Sequence, residues 1–196
     1  MKNFDKKEFT FSLFNSYAKI GISSSLKEII KENKAIICSI GSDLVLGDSV
    51  GPLVGTILEE NKVDAFVYGT LKNPVTAKEV NYLKKYLTSI HKNQPIIAVD
   101  SALSTKDEVG LIKVVEGGLR PGLGVNKNFS FIGDVGIMAV VSEKEKGDRL
   151  LRLTRLNLVY KFAEVIAEGI YNFLKNGDRD LTSFYKNDFL TAKKLS

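Results

Sequence analysis

The sequence predicts an α/β fold with a mostly parallel central sheet, and three observations carry that expectation. The first hundred residues alternate short apolar runs with helix-patterned stretches in the order β-α-β-α-β, which implies parallel strands joined by crossovers. A glycine-punctuated turn, Gly41 to Pro52, links the first of those strands to the helix after it. Such a turn presents ligands or catalytic groups at the edge of an α/β sheet. A long amphipathic stretch near the end of the chain reads as a helix that closes the domain.

The elements follow in order. The first 22 residues are polar and aromatic with weak periodicity and read as an arm lying on the domain. Ser23 to Ser25 are placed to cap a short helix over Leu26, Ile29 and Ile30. Ala35 to Ile40 is a buried strand, and Val50 to Asn61 a helix with Pro52 in its first turn, where the missing N–H is harmless. Ala65 to Tyr68 is a second strand. Asn73-Pro74 reads as a helix start, followed by Val75, Val80, Leu83, Leu87 and Ile90 at helical spacing. Pro95 to Val99 is a third strand, closed by Asp100.

Beyond it, Val109 to Val115 alternates as a strand. Gly117 to Asn126, with four glycines and Pro121, is a loop. Phe129 to Val141 gives one or two more strands interrupted at Gly133-Asp134. The closing helix carries Leu153, Leu156, Val159, Phe162, Ala163, Ile166, Ile170 and Phe173 on its apolar side and ends at Gly177. The expected organisation is an arm and short helix over 1–34, a single α/β domain over 35–176 and a tail over 177–196, without repeats.

Length and composition narrow the function classes. At 196 residues, 44% hydrophobic and 26% charged, the chain suits one globular domain with a well-buried core. No apolar run approaches the roughly 20 residues that span a bilayer, and residues 1–10 lack a signal-peptide core. A single cysteine, Cys38, excludes an intramolecular disulfide. The expectation is a cytoplasmic protein with no membrane partner. The net charge of +5 is lysine scattered along helical stretches, such as Lys78, Lys84, Lys85 and Lys92, with no aromatic-interleaved stripe, so no nucleic-acid partner is expected. Arg149, Arg152 and Arg155 are spaced to share one helix face, which suits either solvent or an acidic partner.

The acidic turn, Gly41-Ser-Asp-Leu-Val-Leu-Gly-Asp-Ser-Val-Gly-Pro52, holds the carboxylates Asp43 and Asp48 and no lysine. It suits carboxylate chemistry or metal binding better than phosphate, and Gly41, Gly47 and Gly51 do not have the dinucleotide-binding spacing. Asp100 follows another predicted parallel strand, so the topology can bring it to the same crevice as Asp48. The start of the helix favours a charged Asp48, whereas the apolar run before Asp100 raises that residue's proton affinity. Carboxylates tuned apart in this way can divide acid and base roles. One would activate a water and the other protonate the departing amide nitrogen. Alone, each reads more readily as a cap or a turn residue, and only as a pair on one sheet edge does the functional reading weigh as much. The single histidine, His91, lies at a lysine-flanked helix end, and Cys38 reads as a small core residue. Gly117 to Asn126 is either a flexible connection or a source of backbone N–H groups for an oxyanion or an extended peptide.

Six segments in order carry a family resemblance: GSDLVLGDSVGPLVG (41–55), YGTLKNPVTA (68–77), IIAVDSALS (96–104), RPGLGVNK (120–127), IGDVGI (132–137) and TRLNLVYKFAEVIAEGI (154–170). Together they resemble the YyaC family of sporulation proteins, which is similar in turn to the germination protease of spore-forming bacteria. The resemblance implies a phosphorylase/hydrolase-like three-layer α/β/α sandwich, shared with hydrogenase maturation proteases. It also implies an atypical aspartic peptidase with two aspartates, matched here by Asp48 in Asp48-Ser49-Val50-Gly51-Pro52 and Asp100 in Asp100-Ser101-Ala102-Leu103. Asp43, Gly47, Ser49, Gly122 and Gly124 are the expected substrate-binding positions. The implied setting is the forespore or mother cell, and the implied substrate a peptide or small protein such as the small acid-soluble spore proteins. Thr76 stands where the family pattern would place histidine, and the further histidine that holds nickel in maturation proteases has no counterpart here. No cofactor is expected. Two other readings remain: a protease-like module that binds without cutting, and a divalent-metal site built from Asp43, Asp48 and Asp100.

Overall fold

Strand residues of alternating parity feed two separate cores, and this places helices on both faces of one sheet. The computed structural model describes residues 6–122, 130–144 and 154–175. Ile37, Ile97, Val99, Val114 and Ile137 pack with α1 (Ala18–Ile29), α2 (Val50–Glu60) and α4 (Leu156–Leu174). Ile36, Cys38 and Ala98 pack instead with Val80, Leu83 and Leu87 of α3 (Val80–Ile90). The protein is thus a mixed α/β structure with four described helices. No described helix is long and apolar enough to cross a membrane.

The six strands are β1 (Glu8–Ser12), β2 (Ile36–Ser39), β3 (Val67–Tyr68), β4 (Ile96–Ser104), β5 (Leu111–Glu116) and β6 (Val135–Glu143). Their order across the sheet is β1-β5-β6-β4-β2-β3. The run β6-β4-β2-β3 is parallel, and β5 lies antiparallel to both of its neighbours. From β2 the chain steps outward through α2 to β3, then returns through α3 past β2 to β4. The connections after β2 and β4 therefore diverge, and the crevice between those strands is the topological switch point where open α/β sheets bind ligands.

The strands, the turn and the closing helix expected from residue 35 onward are present, with three differences in detail. Asp100 does not close its strand. The β2–β4 register ends at Ser39 opposite Val99, but β4 continues to Ser104 because β6 still pairs with it there. Asn73-Pro74 does not start α3. Val75 bridges to Ile40 as a short extension of the sheet edge, and the Gly41 N–H donates to the Val75 carbonyl at 2.9 Å. The chain turns into α3 at Thr76-Ala77-Lys78-Glu79, where Glu79 Oε2 accepts the Thr76 N–H at 2.8 Å and also the Thr76 hydroxyl. This is one half of a capping box, the Glu79 side chain reaching back to the Thr76 N–H, while the Glu79 N–H donates to the Thr76 backbone carbonyl at 3.0 Å, and it ties the turn that leads into α3.

The third difference lies near the start of the chain. Residues 8–12 form β1, which pairs with β5 and turns Phe9 and Phe11 toward the larger core. Helix α1 begins at Ala18, so Ser23 and Ser25 are buried mid-helix residues rather than caps. Ser25 donates its hydroxyl to the Gly21 carbonyl, which satisfies it inside the helix. The stripe Ala18, Ile22 and Leu26 is fully apolar and packs inward, extending the helix beyond the expected short segment. Gly124, Arg149, Arg152, Leu153, Gly177 and the tail over 177–196 lie outside the described residues.

Candidate active site

The turn after β2 is built to deliver one side chain. Gly41 has φ of +144° and sits so close to the Asp48 carbonyl that an added Cβ would lie 2.0 Å from it. The Ser42 N–H donates to the same carbonyl at 3.0 Å. Leu46 to Asp48 form a 3-10 turn, closed by the Ser49 hydroxyl donating to the Leu46 carbonyl at 2.6 Å. At Gly51 a Cβ would lie 2.0 Å from the Ile40 carbonyl, so glycine there lets α2 approach the end of β2 directly. The result is Asp48 held half-buried at the entry to α2, over the β2–β4 crevice.

Asp100 enters the crevice from β4, one residue beyond the last β2–β4 register pair, and is 6% exposed. Ser101 joins the two acids. Its backbone N–H donates to Asp100 Oδ1 at 2.8 Å, and its hydroxyl reaches Asp48 Oδ1 at 3.4 Å. The Gly122 backbone N–H also faces the Asp100 carboxyl. Among the described residues, no lysine or arginine forms an ion pair with either aspartate.

This environment raises both proton affinities. Burial lifts Asp48 to about 6, with the Ser101 hydroxyl and the Ser42 N–H pulling the other way. The sequence-based expectation that the helix start would hold Asp48 low is corrected, because loss of hydration outweighs the dipole and the donors. Asp100 is raised well above the usual carboxylate range by burial first and by the Asp48 charge second, against the Ser101 and Gly122 N–H groups. The two carboxyls therefore hold protons more tightly than ordinary aspartates, and the deeper burial of Asp100 together with the neighbouring Asp48 charge separates their environments.

The other expected site residues are less central. Asp43 is exposed at the tip of the turn, and among the described residues no group of three His, Cys, Asp or Glu side chains gathers to hold a metal ion. Gly47 is buried within the 3-10 turn and Ser49 spends its hydroxyl inside it, so both shape the loop that carries Asp48. Gly122, at φ of +71°, contributes its N–H to Asp100. Cys38 is fully buried, and burial followed by the Asp100 charge pushes its thiol up to about 12, which leaves it unreactive. His91 is buried against Phe66 and hydrogen-bonded to the Tyr68 hydroxyl at 2.7 Å. Sequence reasoning missed Ser101. Its only signal in the sequence was its place beside Asp100 in Asp100-Ser101-Ala102-Leu103.

A parallel-sheet crevice holding two unequal carboxylates defines an α/β protein with an acidic switch-point site. Residues 11–169 match a family described as "Protein of unknown function (DUF1256)", and the chain belongs to that family. It is also 39% identical over 151 residues, covering 76% of this chain and 73% of the relative, to "Uncharacterized protein YyaC" of Bacillus subtilis (strain 168).

Proposed function

We propose that this chain is an atypical aspartic peptidase that hydrolyses peptide bonds in a small, extended protein substrate of a sporulating or germinating bacterium. The observation that carries the reading is the pairing of Asp48 and Asp100 in one crevice with unequal burial and both proton affinities raised. Helices packed on both faces of the sheet support the phosphorylase/hydrolase-like three-layer sandwich, the architecture of germination and hydrogenase maturation proteases.

In this mechanism ionised Asp48 takes a proton from a water, whose oxygen attacks the scissile carbonyl carbon. Asp100, protonated, gives its proton to the amide nitrogen as the C–N bond breaks. Proton transfer from Asp48 back to Asp100 then restores the resting pair. The Ser101 hydroxyl orients Asp48, and the Gly122 N–H holds Asp100 in place.

Incubation with small acid-soluble spore proteins, read by mass spectrometry, tests the reading. Cleavage is expected from the wild type and lost in both Asp48→Asn and Asp100→Asn; undiminished cleavage by either variant removes the two-aspartate mechanism. A second reading, a protease-like module that holds a partner without cutting it, draws on the 6% exposure of Asp100. Recovery of an intact partner with no turnover would favour it.

A further inference from the structure

Strand β4 outruns β2 at the site itself. The last bond of their ladder is the Ile40 N–H donating to the Val99 carbonyl at 2.7 Å, after which Gly41, at φ of +144°, turns the chain away. Backbone groups alternate sides along a strand, and the register shift between Ala102 and Leu103 places its extra residue, Val141, in β6, so along β4 the groups of Ser101 and Leu103 face the same side as the Val99 carbonyl. Residues 101–104 are held on the other side by β6, through pairs from Ser101 opposite Ala139 to Ser104 opposite Glu143. The Ser101 N–H is taken by Asp100 Oδ1. The Ser101 carbonyl and the Leu103 N–H and carbonyl have no backbone partner on the β2 side among the described residues. A half-buried strand edge with unmet donors and acceptors is a template for another extended chain.

We propose that an unfolded polypeptide segment docks as an added strand along residues 101–104 of β4, occupying the line that β2 vacates, with main-chain hydrogen bonds to the Ser101 carbonyl and the Leu103 N–H. The occupant is defined by chemistry: an extended chain read through its backbone. Such a strand passes directly beside Asp100 and the Ser101 hydroxyl that contacts Asp48, so its carbonyls run through the carboxylate pair. The docking rests on the peptidase reading for its purpose but not for its geometry. Recognition through the main chain would admit many side chains and exclude folded proteins, whose backbones are already paired.

The test uses the full chain and fluorescein-labelled α-lactalbumin in two forms: reduced and carbamidomethylated, hence unfolded, and native. Anisotropy is expected to show binding of the unfolded form and none of the native form. Leu103→Pro removes the N–H that faces the crevice rather than one in the β6 ladder, while Leu103→Ala keeps the N–H and removes the side chain. The proline variant should bind the unfolded probe about tenfold more weakly or worse, and the alanine variant within a factor of about three of wild type. In wild-type protein the Leu103 amide resonance should shift on adding the unfolded probe, a readout independent of any variant's folding. Equal binding by the two variants, an unmoved Leu103 amide or no binding of the unfolded form overturns the docking. Binding without cleavage supports the docking and counts against the peptidase reading, so the two can fail separately.

Discussion

Two buried carboxylates sit on opposite terms with their surroundings. Glu168, on α4, is 3% exposed and meets Lys19 Nζ of α1 at 2.6 Å. Asp100 is 6% exposed, and its charged neighbour is another carboxylate. The first is neutralised by a cation across a helix pair, the usual condition under which a protein tolerates a buried acid. The second has no cation beside it among the described residues and a raised proton affinity instead, an arrangement typical of sites that use the proton. The same residue class, equally hidden, thus does structural work at the α1–α4 layer and is available for chemistry at the β2–β4 crevice.

Removing members of each pair sharpens that contrast, and the largest expected effect is on catalysis. If the pair works as the proposed general acid and base, Asp48→Asn and Asp100→Asn should each lower peptide cleavage by about 10² to 10⁴-fold, read as initial rates on a spore-protein substrate. The next is structural. Lys19→Met removes the ammonium that Glu168 meets at 2.6 Å and should destabilise the protein by about 3 kcal/mol, whereas adding Glu168→Leu should recover most of the loss; urea unfolding of the wild type and the two variants checks this. Equal stability of the single and double variants would break the comparison.

The third effect carries a pH signature. Both site aspartates have folded-state proton affinities above their unfolded values, so their contribution is greatest below about pH 4 and is lost as pH rises. For Asp48 the loss runs from about pH 4 to about 6, and for Asp100 it runs upward from the ordinary carboxylate range. Asp100→Asn should therefore be more stable than wild type at pH 8, with the advantage shrinking toward pH 4 in unfolding experiments at each pH. The smallest effect is local: Thr76→Ala removes the hydroxyl from the turn that starts α3 and should cost about 1 kcal/mol in thermal unfolding, with no change in the acidic site.

Much of this contrast could be read before the structure. The apolar run Ala35 to Ile40, the glycines at 41 and 51 and the helical spacing after Val50 have strong local causes, and they located Asp48 correctly. The parallel order of β2 and β4 followed from the β-α-β-α-β alternation, and it brought Asp100 to the same crevice. What escaped depends on partners distant in sequence. Phe9 and Phe11 become a strand only because β5 offers an edge, and Asp100 lies inside β4 only because β6 extends the pairing. Asn73-Pro74 carries a strong helix-start signal, but Val75 is captured by Ile40, and the Thr76–Glu79 pair starts α3 instead. The raised Asp48 affinity was invisible for the same reason, since burial is a property of the assembled crevice.

Carbon-detected NMR titration of the aspartate side chains in the wild type and in Asp48→Asn tests the site most directly. Asp48 should titrate at about 6 and Asp100 well above the ordinary carboxylate range, and Asp100 should move down when the Asp48 charge is removed. Two aspartates titrating independently near the ordinary carboxylate value of about 4, with Asp100 unmoved in the variant, would contradict a coupled acid–base pair.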